Sequence, residues 1–457
     1  MAVINDLLKM RKYFETGVTK SYAFRKEQLT RLKQTVIKHQ LVIQDALYKD
    51  LKKSSEETWV TETGFLLSEI SYTLNHLKQW MKPDKVSTNL LNIPSKSYIV
   101  KEPLGTVLII GPWNYPLQLL FTPLAGAIAA GNCIVLKASE FAPATAAVMK
   151  QIIAETFEEQ YVLFTEGDGA TVIPEMMNNF IFDHVFYTGS TAVGKIIYQM
   201  AAKNLVPVTL ELGGKSPCIV EADANITVAA KRIAMAKFSN AGQMCVTPDY
   251  VLVHAAQKVA LVEALKKALQ QFMGDDAKQS YDYGRIINEK QFDRIVTYLQ
   301  QGNIISGGKT DKTTLYIEPV VMDNISMDSP IMKEEIFGPI LPILTFTTMV
   351  EAQEIIAKNP NPLAFYVFTG NKQKEKEWIN AIPFGGGCIN NAALHLTNHQ
   401  LPFGGRGFSG TGSYHGKFSF DTFSHKKGIL KTPTWFDPNM KYPSYKGKLK
   451  IFKWLMK

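Results

Sequence analysis

Across residues 4–83, Leu, Ile and Val recur at helical spacing among Lys, Arg and Glu, as at Leu29, Leu32, Val36 and Ile37. That period predicts helices with one buried face, ended by the breaker Pro83-Asp84. Residues 96–103 read as an extended segment. The pattern then changes. Gly105-Thr-Val-Leu-Ile-Ile-Gly111 is a short apolar run closed by glycine and proline, the form of a strand buried on both faces of a parallel sheet. An apolar helix over 117–130, a strand over 133–136, a helix over 144–156 and a strand over 162–165 follow. A strand over 184–187, a helix through Met200 and a strand over 206–211 continue the alternation. It predicts a doubly wound α/β sheet with ligands at the carboxyl ends of its strands.

After residue 212 the alternation restarts, with strands over 216–220 and 250–254 and helices over 226–239 and 257–272. A second α/β domain is the economical reading. No repeat of fixed period and no low-complexity segment interrupts the chain.

The length of 457 residues and the 46% hydrophobic content fit about two or three globular domains with large cores. A net charge of +9 points to nucleic acid or an anionic membrane only where it is clustered. Lysine is spread along this chain, with one concentration at the C-terminus. No basic-aromatic patch or recognisable module supports nucleic-acid binding. The four cysteines lie far apart with no C-x-x-C pair. That argues against a disulfide framework or a metal site and fits a reducing cytoplasm. The N-terminus enters a charged helical pattern unlike a signal peptide, and no apolar run is long enough to span a bilayer.

Against this background Cys245 stands out. Free cysteines are usually small buried hydrophobes; Cys133 and Cys218, inside predicted strands, fit that role, and Cys388 reads as structural or as a surface thiol. Cys245 instead ends the polar, glycine-containing stretch Asn240-Ala-Gly-Gln-Met-Cys245 and precedes Thr247-Pro248, a loop setting that leaves a thiol accessible. Upstream, Glu211 sits in Leu210-Glu-Leu-Gly-Gly-Lys215. A soft nucleophile and a separate carboxylate in glycine-marked turns suggest covalent catalysis with an activated water.

Other motifs admit two readings each. Gly189-Ser-Thr-Ala-Val-Gly194 follows a predicted strand and opens a helix; it is a tight turn or a pyrophosphate cradle. Lys137 and Glu140 form a solvated loop pair or bind ribose hydroxyls. Asn114, between Pro112 and Pro116, is a turn asparagine or an oxyanion donor. Glu335, in Glu334-Glu-Ile-Phe-Gly-Pro339, is a surface acid before a turn unless a ligand claims it.

Taken in order, Pro112-Trp-Asn-Tyr-Pro116, Lys137-Ala-Ser-Glu140, Thr188-Gly-Ser-Thr-Ala-Val-Gly194, Leu210-Glu-Leu-Gly-Gly-Lys215, Gly242-Gln-Met-Cys245 and Glu335-Ile-Phe-Gly-Pro339 resemble the aldehyde dehydrogenase superfamily over nearly the whole chain. The stretch Leu401–Gly416, with Phe420-Asp-Thr-Phe-Ser-His425, resembles its class 3 branch. The resemblance implies a Rossmann-like cofactor domain (1–80 and 100–210), a second α/β catalytic domain (211–388) and bridging or oligomerisation segments (81–99 and 389–430). It implies Cys245 as nucleophile, Asn114 and the Cys245 N–H as oxyanion donors, and Glu211 as the base for the hydrolytic water. Cofactor contacts would come from Trp113, Lys137, Glu140, Gly189, Ser190, Gly194, Leu212, Glu335 and Phe337. NAD is the expected cofactor, because the acid Glu140 repels a 2′-phosphate; NADP stays open. The branch implies a medium- or long-chain, aromatic or terpenoid aldehyde and a homodimer. Ala138 replaces the usual proline, a change in loop stiffness only, and Arg406 falls near the expected substrate mouth. A relative that passes the acyl group to coenzyme A is the alternative enzyme, although such relatives often lack the acid at Glu211. A structural or lipid-binding reuse of the fold is the alternative of another class, set against the complete trio of Cys245, Glu211 and Asn114.

Residues 431–457 run past these motifs. On a helix turning ~100° per residue, Lys446, Lys450, Lys453 and Lys457 fall on one face, and Leu449, Phe452, Leu455 and Met456 on another. With Trp454 near the end, this basic amphipathic tail suits either peripheral contact with the inner membrane surface or packing on protein.

Overall fold

The computed structural model describes residues 2–456. The N-terminal segment folds as helices Ala2–Glu15, Tyr22–Lys38, Gln40–Leu51 and Gly64–Trp80. Leu29, Leu32 and Val36 are buried, but Ile37 is exposed. One residue past Val36, it has turned ~100° away from the packed face.

These helices pack beside Pro116–Ala130 and Pro143–Thr156, which flank a six-stranded sheet. Its order is Gly410–Thr411, Val208–Glu211, His184–Thr188, Thr106–Ile110, Cys133–Lys137, Val162–Thr165, and only the first pairing is antiparallel. The central strands are buried along their whole length, as unbroken apolar runs require. From Thr106–Ile110 the chain adds strands first to one side and then to the other. That reversal makes a crevice beyond the carboxyl ends of Thr106–Ile110 and His184–Thr188.

A second, seven-stranded sheet runs Asn303–Ser306, Val320–Asp323, Ile340–Phe346, Tyr250–His254, Pro217–Val220, Ala364–Phe368, Gly386–Ile389. It is parallel apart from Asn303–Ser306. A third sheet joins Asp84–Val86, Lys96–Pro103 and Ser424–Lys431 in antiparallel register. The 389–430 range thus reaches all three of these sheets, through Ile389 at the end of Gly386–Ile389, through Gly410–Thr411 and through Ser424–Lys431.

The structure also departs from the sequence reading elsewhere: the second sheet has five strands beyond the two predicted. Gly169–Asn179 is a helix where none is predicted; Pro174 inside it reads as a breaker, although the buried Ile173, Met176 and Met177 keep helical spacing. The tail helix is short, Leu449–Leu455, so Lys446 precedes it, and Lys457 lies outside the described residues. Phe452, Leu455 and Met456 line a groove with Leu90 and Ile93, Met456 at its exposed rim, whereas Leu449, Ile451 and Trp454 are exposed and outside it. Among the described residues, no helix is long and apolar enough to cross a membrane.

Candidate active site

Cys245 is half-buried and lies where two clefts meet. One cleft, about 890 Å³ and partly open to solvent, is walled by Phe65, Leu119, Met235, Leu396, Phe403 and Tyr414. The other, about 1230 Å³, gathers Trp113, Asn114, Gly189, Ser190, Glu211, Leu212, Glu335 and Phe337. Lys137, Glu140 and Gly194 do not line either cleft.

The loop that carries Cys245 is bent by three consecutive left-handed residues, Asn240, Ala241 and Gly242, with φ of 48°, 51° and 75°. Side chains are strained in that region, and the surroundings hold the bend. The Glu57 carboxylate accepts from the Asn240 N–H at 2.8 Å. The Gln243 side chain donates to the carbonyls of Asn240 (3.0 Å) and Arg285 (2.9 Å) and accepts from the Ile287 N–H (3.0 Å). Gly242 presses on the turn after Glu335, since an added Cβ would lie 2.3 Å from the Gly338 carbonyl oxygen.

Asn114 sits between the strand Thr106–Ile110 and a helix opened by Pro116, a residue suited to a first helical turn. It is buried, and its Nδ2 donates to the Gln243 carbonyl at 3.0 Å. Glu211 ends the strand Val208–Glu211. It too is buried, and neither carboxylate oxygen has a hydrogen-bond partner. Burial pushes its pKa well above the usual carboxylate range; an unpaired buried charge is costly, and taking up a proton relieves it. Burial, reinforced by the nearby Asp249, raises Glu335 to about 8. Burial also raises the Cys245 thiol, and the Glu335 and Glu211 carboxylates add to the effect.

The larger cleft suits a dinucleotide. Ser190 caps the helix Thr191–Ala202, its hydroxyl accepting from the Val193 N–H at 3.4 Å. Thr191 and Ala192 line the cleft, so the positive end of that helix faces it. A Cβ on Gly189 would meet the Tyr187 hydroxyl at 2.3 Å, which explains the glycine. Gly194 has a packing role, leaving room for Leu212, whose Cδ2 would lie 2.7 Å from a Cβ there. Trp113 and Phe337 meet edge to face at 5.3 Å. Glu335 Oε1 is buried with no partner, an acceptor available to a hydroxyl. At the end of the neighbouring strand, Lys137 Nζ donates to the Ala138 carbonyl (2.6 Å) and to Glu140 (3.2 Å). Glu140 also accepts from the Gly169 N–H at 3.0 Å. Burial opposes its charge, but the Gly169 and Lys137 bonds hold its pKa below the usual carboxylate range.

Three features escaped the sequence reading. Gln243 has no isolated signal beyond its place in the cysteine motif. Asp249 accepts from Lys215 Nζ and from the Ile336 N–H, tying those two motifs to the segment that follows Cys245. Lys53 and Glu62 form a fully buried ion pair behind Asn114. Arg406 lines a separate cleft with Lys195 and Phe408.

A doubly wound sheet and a helix N-terminus facing a cleft that also holds a thiol fit an oxidoreductase with a dinucleotide cofactor. The chain belongs to the aldehyde dehydrogenase family, whose sequence profile matches residues 8–429. It is an NAD(P)-dependent enzyme that oxidises an aldehyde to the carboxylic acid. A 4,4'-diaponeurosporen-aldehyde dehydrogenase of Staphylococcus aureus is 49% identical over 97% of this chain and 96% of its own. A rat (Rattus norvegicus) aldehyde dehydrogenase described as dimeric and NADP-preferring is 42% identical over 94% of this chain and 95% of its own. A solved structure described as the substrate-bound state of Staphylococcus aureus AldH superposes with a TM-score of 0.97 at 48% identity, covering 100% of this chain and 99% of that one.

Proposed function

We propose that the enzyme oxidises a long apolar aldehyde, of the fatty or carotenoid type, with Cys245 as nucleophile. The observation that carries this reading is the position of Cys245 between an apolar cleft and a second cleft that the N-terminus of the helix Thr191–Ala202 faces. The aldehyde chain lies along Phe65, Leu119, Phe403 and Tyr414, where burying each CH₂ contributes ~0.8 kcal/mol. The likeness to a carotenoid-aldehyde enzyme points the same way.

Cys245 gives up its thiol proton to water and attacks the carbonyl carbon as the thiolate, forming the C–S bond while the C=O π pair moves to oxygen, to give a thiohemiacetal alkoxide. Asn114 Nδ2 and the Cys245 backbone N–H hold the developing oxyanion. The nicotinamide, when bound, supplies the acceptor for the hydride that leaves this carbon. The carbon is then a thioester on Cys245. Glu211 takes a proton from water, which adds to the thioester and releases the acid and the thiolate. Glu211 acts in its ionised form, and the raised pKa makes that carboxylate a stronger base; its presence favours hydrolysis over transfer to coenzyme A.

For the cofactor, Gly189, Ser190 and the helix behind them would take the pyrophosphate. Glu335 would take the nicotinamide ribose, with Trp113, Leu212 and Phe337 about the ring, and Lys137 and Glu140 the adenosine ribose. An ionised Glu140 favours NAD over NADP. Residues 1–80 with 100–210, and 211–388, act as cofactor and catalytic domains. Two copies pair through the bridging segments 81–99 and 389–430, as the dimeric rat relative suggests. The exposed Trp454, Leu449 and Ile451, among lysines, support peripheral contact of the tail with anionic lipid. A screen of NADH formation across aldehydes of rising chain length tests the substrate class. kcat/KM should climb with length; a preference for short polar aldehydes contradicts it.

A further inference from the structure

Between the helices Gln40–Leu51 and Gly64–Trp80 the chain carries charge into the interior. Trp59–Thr63 forms a single π turn, the Gly64 N–H bonding back to the Trp59 carbonyl. A Cβ on Gly64 would lie 2.6 Å from that oxygen. Such turns recur at functional sites. Here the turn places Glu62, whose Oε1 accepts from Lys53 Nζ at 2.6 Å, with both side chains fully buried.

The remaining bonds of this pair run toward the reaction centre. Lys53 Nζ donates to the Asn114 carbonyl at 3.0 Å and lies 3.8 Å over the Tyr115 ring. Glu62 Oε2 accepts from the N–H groups of Leu117 (3.0 Å) and Gln118 (3.2 Å), in the first turn of the helix that follows Asn114. From the other side, the Asn240 side chain donates to the same Asn114 carbonyl at 2.9 Å, while Glu57 holds the Asn240 N–H. The Asn114 carbonyl therefore joins the Asn114 turn, the Cys245 loop and the buried pair. A buried ion pair gives weak net stability, so stability alone is a poor account of this one.

We propose that Lys53, Glu57 and Glu62 are positioning residues, which set the Asn114 turn against the Cys245 loop so that Asn114 Nδ2 and the Cys245 N–H converge on one oxygen. The proposal rests on the reading of Asn114 as an oxyanion donor. None of the three need touch the aldehyde. Their effect comes through geometry, where a misplacement of ~1 Å costs about a hundredfold in rate.

The test compares the unmodified enzyme with Asn114→Ala, with Glu57→Ala and with the double variant Lys53→Met/Glu62→Gln. The double variant removes both charges together and so avoids an unpaired buried ion; Glu57→Ala, at a half-buried site, serves if the double variant does not fold. Three quantities are measured: the first-turnover burst of NADH, the Kd for NAD, and the rate of Cys245 alkylation by iodoacetamide, which needs no oxyanion donor. The burst should fall by about tenfold or more in Glu57→Ala and in the double variant, with Kd and alkylation within about twofold of the unmodified enzyme. Adding Asn114→Ala to either should then cost little beyond Asn114→Ala alone. An unchanged burst beside a slow Asn114→Ala enzyme overturns the positioning role and leaves the oxyanion reading intact. An Asn114→Ala enzyme with a normal burst removes the oxyanion reading and this proposal with it. A parallel loss of burst, cofactor affinity and alkylation marks a general structural role and also overturns it.

Discussion

The side-chain amide of Asn114 donates to the carbonyl of Gln243, 129 residues away in the chain and two before Cys245. One bond thus links the strand-end turn of the first sheet to the loop that carries the thiol. The same Nδ2 has a second hydrogen to offer, and Cys245 shares its cleft.

Asn114→Ala should therefore lower kcat by about 10²–10³, the usual cost of losing one oxyanion donor. KM and NAD affinity should change far less. Pre-steady-state NADH kinetics with NAD titration separate the two effects.

Gly242→Ala should leave the fold but disable the thiol loop. The position has φ 75°, and a Cβ would meet the Gly338 oxygen at 2.3 Å. Strain of ~1–3 kcal/mol falls on the turn that aims Cys245. Slower turnover and altered alkylation of Cys245, with near-native circular dichroism, is the expected result.

Glu335 gives the apoenzyme a pH-dependent stability. Its folded pKa is about 8, above the ordinary 4.5. Between those values the unfolded chain has released a proton that the folded chain keeps. The contribution is complete below the unfolded pKa and is lost as pH rises through the folded one. Tm should fall between pH 5 and pH 8.5, and Glu335→Gln should flatten that fall. Differential scanning fluorimetry across this range checks it.

The tail should bind anionic vesicles. Phe452 and Leu455 turn inward, but Trp454, Leu449 and Ile451 remain exposed beside Lys450 and Lys453. Co-sedimentation with phosphatidylglycerol vesicles should weaken when residues 441–457 are removed and when salt is raised. Equal binding by both chains removes the idea.

Much of the first sheet was legible because its strands are unbroken apolar runs such as Thr106–Ile110 and Cys133–Lys137, closed by glycine, lysine or proline. Asn114, Glu211 and Cys245, which line one cleft, were legible as candidates because each stands in or beside a turn marked by glycine or proline. Strands of the later chain were harder. Asn303–Ser306 is an edge strand with exposed positions, and Gly386–Ile389 has two glycines among four residues. The Lys53–Glu62 pair could not be read at all. Its meaning lies in bonds to Asn114 and Leu117, and nothing local distinguishes Lys53 from the neighbouring Lys52, which is only partly buried. In the tail, period alone places Leu449, Phe452, Leu455 and Met456 together; Phe452, Leu455 and Met456 do share the groove beside Leu90 and Ile93, and Leu449, at the first turn, lies outside it.

The most direct test of the account is intact-protein mass spectrometry of Glu211→Gln mixed with NAD and a long-chain aldehyde. Without its base the enzyme should form one equivalent of NADH and hold the acyl group as a thioester. The added mass should map by peptide analysis to Cys245 and be absent from a Cys245→Ala, Glu211→Gln enzyme. An acyl adduct on another residue, or full turnover by Cys245→Ala, would contradict the assignment of Cys245 as nucleophile.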